Sequence, residues 1–89
     1  MRRVRVIVSG QVQGVFFRTS CARAAGQREV AGWIRNRDDG SVEAVFEGSP
    51  AAVDALVAWC RSGPRGAVVT EVESFDEAPT GERGFHITG

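Results

Sequence analysis

Along this chain the spacing of apolar residues switches from two to about 3.6 and back, twice over, and that succession narrows the fold more than any other feature. From Arg3 to Ser9, Val4, Val6 and Val8 fall on one face and Arg5, Ile7 and Ser9 on the other, the period of a half-buried strand. Gly10 to Gly14 then reads as a glycine-bracketed loop. Phe17, Cys21, Ala24 and Ala25 recur at helical spacing, which predicts a helix capped at Thr19 or Ser20 and weakening at Gly26-Gln27. Val30 to Asn36 and Ser41 to Glu47 are strand-like runs on either side of Arg37-Asp38-Asp39-Gly40, and the Asp-Gly pair between them signals a hairpin. A second helix starts at Ser49-Pro50, an N-cap followed by a first-position proline, and carries Val53, Leu56, Val57 and Cys60 at i, i+3, i+4 and i+7. Arg61 suits its negative end, Gly63 can close it in the left-handed conformation, and Pro64 prevents its continuation. Val68 to Phe75 predicts a fourth strand whose broken alternation at Val68, Val69 and Val72 admits a bulge. A turn over Pro79 to Gly84 leads to a short edge strand, Phe85-His86-Ile87.

The order β-α-β-β-α-β plus a short fifth strand predicts an α+β fold of the split βαβ, ferredoxin-like kind: one antiparallel sheet with two helices on a single face. With 89 residues the chain has room for one core, burying roughly 60 to 65% of its unfolded surface, so residues 1–89 are expected to form a single domain. No repeat, linker or low-complexity segment interrupts it. A right-handed crossover through the first helix makes strands one and two parallel, with strand three between them. The C-terminal ends of strands one and two then share one edge of the sheet, where the loop after Ser9 should meet Asn36.

Composition restricts the chemistry. Eleven basic and eleven acidic residues cancel, and every basic residue is Arg. Without Lys, Schiff-base chemistry and the Walker phosphate loop are excluded. Zero net charge lacks the basic excess that drives nucleic-acid binding, so no nucleic-acid partner is expected. Cys21 and Cys60 with the single His86 fall short of a four-ligand zinc site unless carboxylates or a second chain complete it, which makes a metal-free, cofactor-free mechanism the default. No apolar run approaches the ~18 to 20 residues of a membrane span, and Met1-Arg2-Arg3 leads into alternating residues rather than a signal-type block. A cytoplasmic protein is therefore expected, a monomer on the ground of its small size alone, with Cys21 and Cys60 free and buried; a bridge between the two helices is the alternative that sequence leaves open.

The loop Gly10-Gln11-Val12-Gln13-Gly14-Val15-Phe16-Phe17-Arg18 feeds a helix N-terminus whose amides point outward, an arrangement suited to cradling an anion. Arg18 beside the positive end of the helix dipole is unfavourable unless an anion compensates it. Read alone, the glycines shape a connector and Arg18 lies in solvent; Asn36 alone is an ordinary turn residue. Brought together by the topology, they pair an anion cradle with an amide able to hold a water by donating and accepting hydrogen bonds.

Residues 10 to 18, G-Q-V-Q-G-V-F-F-R, and 32 to 42, G-W-I-R-N-R-D-D-G-S-V, resemble the two signature segments of the acylphosphatase family, G-x-V-Q-G-V-x-F-R and G-W-V-K/R-N-x-x-x-G-x-V. Ile34 stands where Val or Ala is commoner. Length, element order and the Phe85-His86-Ile87 ending are similar too, so the resemblance covers essentially the whole chain. It implies metal-free hydrolysis of the carboxyl-phosphate bond of a small-molecule acyl phosphate. It also implies that Arg18 binds the phosphate, that Gln13, Gly14, Val15, Phe16 and Phe17, with Arg18 itself, supply the amides of the cradle, and that Asn36 orients the attacking water. The family-like route for the water's proton is the substrate's own phosphate.

Other residues carry weaker readings. His86, flanked by Phe85 and Ile87, is expected to be exposed and uninvolved in catalysis. Trp33 and Phe46 suggest an RNA-stacking platform, but the third strand is acidic rather than basic-aromatic, so core or sheet packing is expected. Asp38 and Asp39 suit turn geometry. A non-catalytic module binding a phosphorylated ligand in the same loop is the alternative function, since fold alone does not fix activity.

Overall fold

The computed structural model describes residues 1–89 and forms β1 (Arg2–Gln11), α1 (Phe17–Gln27), β2 (Ala31–Asn36), β3 (Val42–Gly48), α2 (Pro50–Cys60), β4 (Val68–Glu77) and β5 (Phe85–Ile87). Alternation carries the valines of β1 inward: Val4, Val6 and Val8 join Ile34, Val42, Ala44 and Phe46 in one buried layer. Phe17, Cys21 and Ala25 of α1 and Val53, Leu56 and Cys60 of α2 close over that layer, so both helices lie on one face of the sheet. Val57, on the margin of the α2 stripe, is partly buried.

The strand order is β4-β1-β3-β2-β5. β3 pairs antiparallel with both β1 and β2, so these two run parallel on either side of it, as the crossover requires. β5 departs from the all-antiparallel expectation by pairing parallel with β2, which makes the sheet mixed. The reason is the path of the chain. β4, antiparallel to β1, ends where β1 and β2 begin. The connector crosses that end of the sheet, and β5 enters beside β2 in the same direction.

Two boundaries differ from the expectation, and both bear on the loop. β1 continues through Gly10 and Gln11, which pair with Val69 and Val68. The register shifts between Ser9 and Gly10, leaving Thr70 as the extra residue of a bulge in β4. Gly10 has φ 124, and a Cβ there would sit 2.1 Å from the Val68 carbonyl oxygen, so the close approach of the two strands needs glycine. α1 begins at Phe17, before Thr19 and Ser20. Its cap position is Phe16, in the left-handed region at φ 61 and ψ 27, with no side-chain capping bond. Burial of Phe17, whose ring meets Trp59 of α2 edge-on at 5.2 Å, draws the first turn inward and outweighs the capping preference of the hydroxyl residues. α2 follows its signals: Ser49 Oγ accepts from the Ala52 amide (3.3 Å), and the Gly63 amide donates to the Trp59 carbonyl (2.8 Å).

The face of the sheet away from the helices is charged. Arg3 pairs with Glu47, Glu77 and Glu82, Arg5 with Glu43 and Glu77, and Arg35 with Glu43. Glu47 accepts the amides of Thr80, Gly81 and Glu82 at 2.8 to 2.9 Å, drawing the connector between β4 and β5 across the sheet. Trp33 and Phe46 face opposite sides of this sheet, so they form no common stacking platform. Phe46 is core and stacks on Phe85 at 5.8 Å, whereas Trp33 pairs with Val45, which points away from the helices. Cys21 and Cys60 are free and buried between the helices, where the neighbouring Cys60 thiol and burial push the Cys21 thiol well above its ordinary range.

Candidate active site

Val12 to Phe16 links the end of β1 to α1, and positive φ at Gly14 (76) and Phe16 (61) bends this short segment into a concave turn. Alternation of such conformations with ordinary ones gathers successive amides toward one point, the geometry of an anion nest. The first backbone bond of the α1 turn is that of the Ser20 amide to the Phe16 carbonyl (3.0 Å). The amides from Gln13 to Thr19 donate to no backbone or side-chain acceptor in the protein, and no side chain caps them. A helix start with its donors left over has a partial positive charge.

Asn36, the last residue of β2, pairs with Val42 and lies on the helix side of the sheet with Ile34. It thereby faces the loop. One cavity of about 440 Å³ is lined by Val12, Gly14, Phe16, Phe17, Arg18, Thr19 and Asn36. The parallel placement of β1 and β2 thus brings Arg18 and Asn36 to one site, as the strand order required. None of the protein's ion pairs uses Arg18, and no side-chain hydrogen bond uses Asn36. A guanidinium and an amide lining a cavity beside undischarged backbone donors are equipped to bind a tetrahedral anion and a water.

Gln13 and Val15 are in the loop without lining the cavity by their side chains. The Gln13 side chain instead points to the neighbouring hairpin, where its Nε2 donates to the Arg37 carbonyl (2.8 Å) and the Ser41 carbonyl (2.9 Å). That clasp joins the loop to the β2–β3 turn directly after Asn36. The turn is itself closed by the Arg37 amide donating to the Ser41 carbonyl (2.8 Å) and by Asp39 Oδ1, which accepts from Ser41 Oγ (2.6 Å) and the Ser41 amide (3.0 Å). The Ser41 hydroxyl and then its amide hold the Asp39 carboxyl below its ordinary range. Asp38 and Asp39 are exposed turn residues, and His86 is exposed with Nε2 2.8 Å from the Arg83 carbonyl oxygen.

Two members of the site are not evident from the sequence. Thr19 and Val12 line the cavity, although Thr19 reads as a helix cap and Val12 as connector. The i+1 position after Arg18 is the available signal for Thr19, because the first turn of a helix that starts at Phe17 presents consecutive residues to its N-terminal end.

Comparison with known proteins points to one family. The acylphosphatase family model matches residues 4–87. An acylphosphatase of Haloquadratum walsbyi is 54% identical over 85 residues, covering 96% of this chain and 91% of that protein. One from Rubrobacter xylanophilus is 56% identical over 87 residues, covering 97% and 79%. The crystal structure of acylphosphatase from Bacillus subtilis superposes with a TM-score of 0.96 at 37% identity, over 100% of both chains.

Proposed function

The chain belongs to the acylphosphatase family and hydrolyses acyl phosphates, and from that premise we propose that Arg18 and the amides from Gln13 to Arg18 hold the phosphoryl group while Asn36 orients the attacking water. The observation that carries this assignment is the shared cavity, where Arg18, Asn36 and the unspent amides meet. A non-catalytic phospho-ligand module would use Arg18 but would have no use for a water-orienting amide, and the family membership favours the enzyme.

An acyl phosphate is a mixed anhydride with a good leaving group, so catalysis is mainly positioning and charge stabilisation. The oxygen of water forms a new bond to phosphorus as the bond from phosphorus to the bridging oxygen breaks, and the carboxylate leaves with that electron pair. The guanidinium, able to grip two phosphoryl oxygens at once, and the loop amides share the equatorial charge. The cavity lining has no carboxylate, thiol or imidazole, which supports transfer of the water's proton to a phosphoryl oxygen of the substrate itself and catalysis without a metal.

The same proposal places the enzyme in the cytoplasm as a monomer with a small-molecule substrate. Two buried free thiols suit a reducing compartment. Zero net charge disfavours nucleic acid, and no helix is long and apolar enough to cross a membrane. Glu71, Glu73 and Asp76 on the outer strand β4 oppose edge pairing with a second copy.

Phosphate release from benzoyl phosphate in excess EDTA tests the site. Wild-type activity should persist in the chelator, and folded Arg18→Ala and Asn36→Ala should each lose on the order of 10²-fold or more in kcat. Full activity in either variant would remove that residue from the assignment, and loss of wild-type activity in EDTA would overturn the metal-free route. A pH–rate profile set by a protein carboxylate or imidazole, moving when that side chain is replaced, would overturn the substrate-assisted proton transfer.

A further inference from the structure

Holding phosphate explains the backbone of Phe16 but not its side chain. The residue is 79% exposed, although Phe is among the residues most often buried. Its backbone lies at φ 61 and ψ 27, a region that Gly or Asn enters readily and a bulky residue rarely adopts. Exposure and backbone strain both disfavour Phe where the nest needs only an amide. Phe16 also lines the cavity, with Val12 and Phe17 as its other apolar residues, while Arg18, Thr19 and Asn36 supply its polar groups. The cavity lining is therefore amphipathic, pairing polar groups suited to an anion with apolar residues of which Phe16 alone is largely exposed.

We propose that Phe16 is the acyl-side specificity residue, its ring covering the organic group of the substrate and favouring aromatic acyl phosphates over small ones such as acetyl phosphate. The inference rests on the assignment of the phosphoryl group to the cradle. With phosphorus fixed there, the acyl carbon is one bridging oxygen away, and the organic group extends to the mouth where Phe16 stands. An aromatic acyl group offers the ring an offset-stacked or edge-on partner and removes apolar surface of both from water. An acetyl group offers no ring to pair with and only a methyl group's apolar surface to bury.

The test is the ratio of kcat/KM for benzoyl phosphate to that for acetyl phosphate in wild type, Phe16→Asn and Phe16→Leu. Asn tolerates the left-handed backbone, so Phe16→Asn keeps the nest while deleting the ring. Changes that act through the backbone amide affect both substrates and cancel in the ratio. The ratio should fall by roughly tenfold or more in Phe16→Asn and by less in Phe16→Leu. A ratio that stays at the wild-type value or rises in Phe16→Asn overturns the inference. Should Phe16→Asn fail to fold, Phe16→Leu decides on the same criterion. Failure of the underlying assignment has a separate signature: Arg18→Ala would then hydrolyse both substrates at the wild-type rate, whatever the Phe16 ratio.

Discussion

Gln13 spends both hydrogens of its side-chain amide on carbonyls of the turn after Asn36, so it ties the loop to the end of β2, where Asn36 has the proposed role of orienting the water. Replacing it with Met keeps the length and removes the donors. Gln13→Met should lower kcat by roughly ten- to a hundredfold, because small misplacements of a positioning group have costs of that order, with a smaller change in competitive inhibition by phosphate. Gln13→Glu adds a distinguishing signature: its carboxylate faces two carbonyls at neutral pH, and kcat should recover partly as the carboxyl is protonated and becomes a donor. An unchanged kcat in Gln13→Met would leave the clasp a purely structural bond. The identity of the residues that meet at the site is legible from the chain, since Arg18 and Asn36 follow from two motifs and one topology. The clasp is not, because the acceptors of Gln13 are main-chain carbonyls at sequence separations of 24 and 28. Carbonyls leave no trace in side-chain identity.

Among the elements, α2 is readable to within a residue because its signals are local: Ser49, Pro50, Gly63 and the stripe between them. Leu56, fully buried at the centre of that stripe, should cost roughly 2 to 5 kcal/mol when replaced by Ala, read as a fall in Tm of at least about 10 °C for a domain of this size. An unchanged Tm would mean the stripe does not face the core. α1 starts earlier than its hydroxyl residues suggest because burial of Phe17 against Trp59 is a tertiary event that local capping preference cannot foresee. The connector from β4 to β5 depends on one buried carboxylate. The amides of Thr80, Glu82 and Gly81, together with Arg3, hold Glu47 below the ordinary glutamate value of 4.5, and Arg3 followed by Arg5 does the same for Glu77. Both groups are more acidic folded than unfolded, so between 4.5 and their lower folded values the unfolded chain binds more protons. Their contribution to stability is complete above 4.5 and is lost as pH falls through the folded values. Glu47→Gln should lower stability at pH 7 by about 1 to 3 kcal/mol, because an NH₂ group then meets backbone donors, and denaturant melts below pH 4.5 should show a shallower acid loss than wild type.

At the scale of the molecule, the sheet divides its two faces between different roles, with a hydrocarbon core under the helices and a lattice of Arg and Glu on the other side. The loop after β1 lies at the end of the sheet where β1 and β2 finish together, and Asn36, remote from it in sequence, lines the same cavity. Monomer mass by sedimentation or scattering checks the expectation that the acidic edge of β4 keeps copies apart; a stable dimer would reject it. By itself, the sequence determined the element order, the inward valine stripes, the pairing of the first three strands and the meeting of Arg18 with Asn36. These follow from periodicity and chain handedness, which are properties of neighbours along the chain. Tertiary structure alone decided the left-handed entry into α1 at Phe16, the parallel seating of β5, the clasp of Gln13 and the capture of the connector by Glu47. Each of those depends on backbone groups or buried partners supplied from a distant segment, and such contacts exist only after the chain has closed on itself.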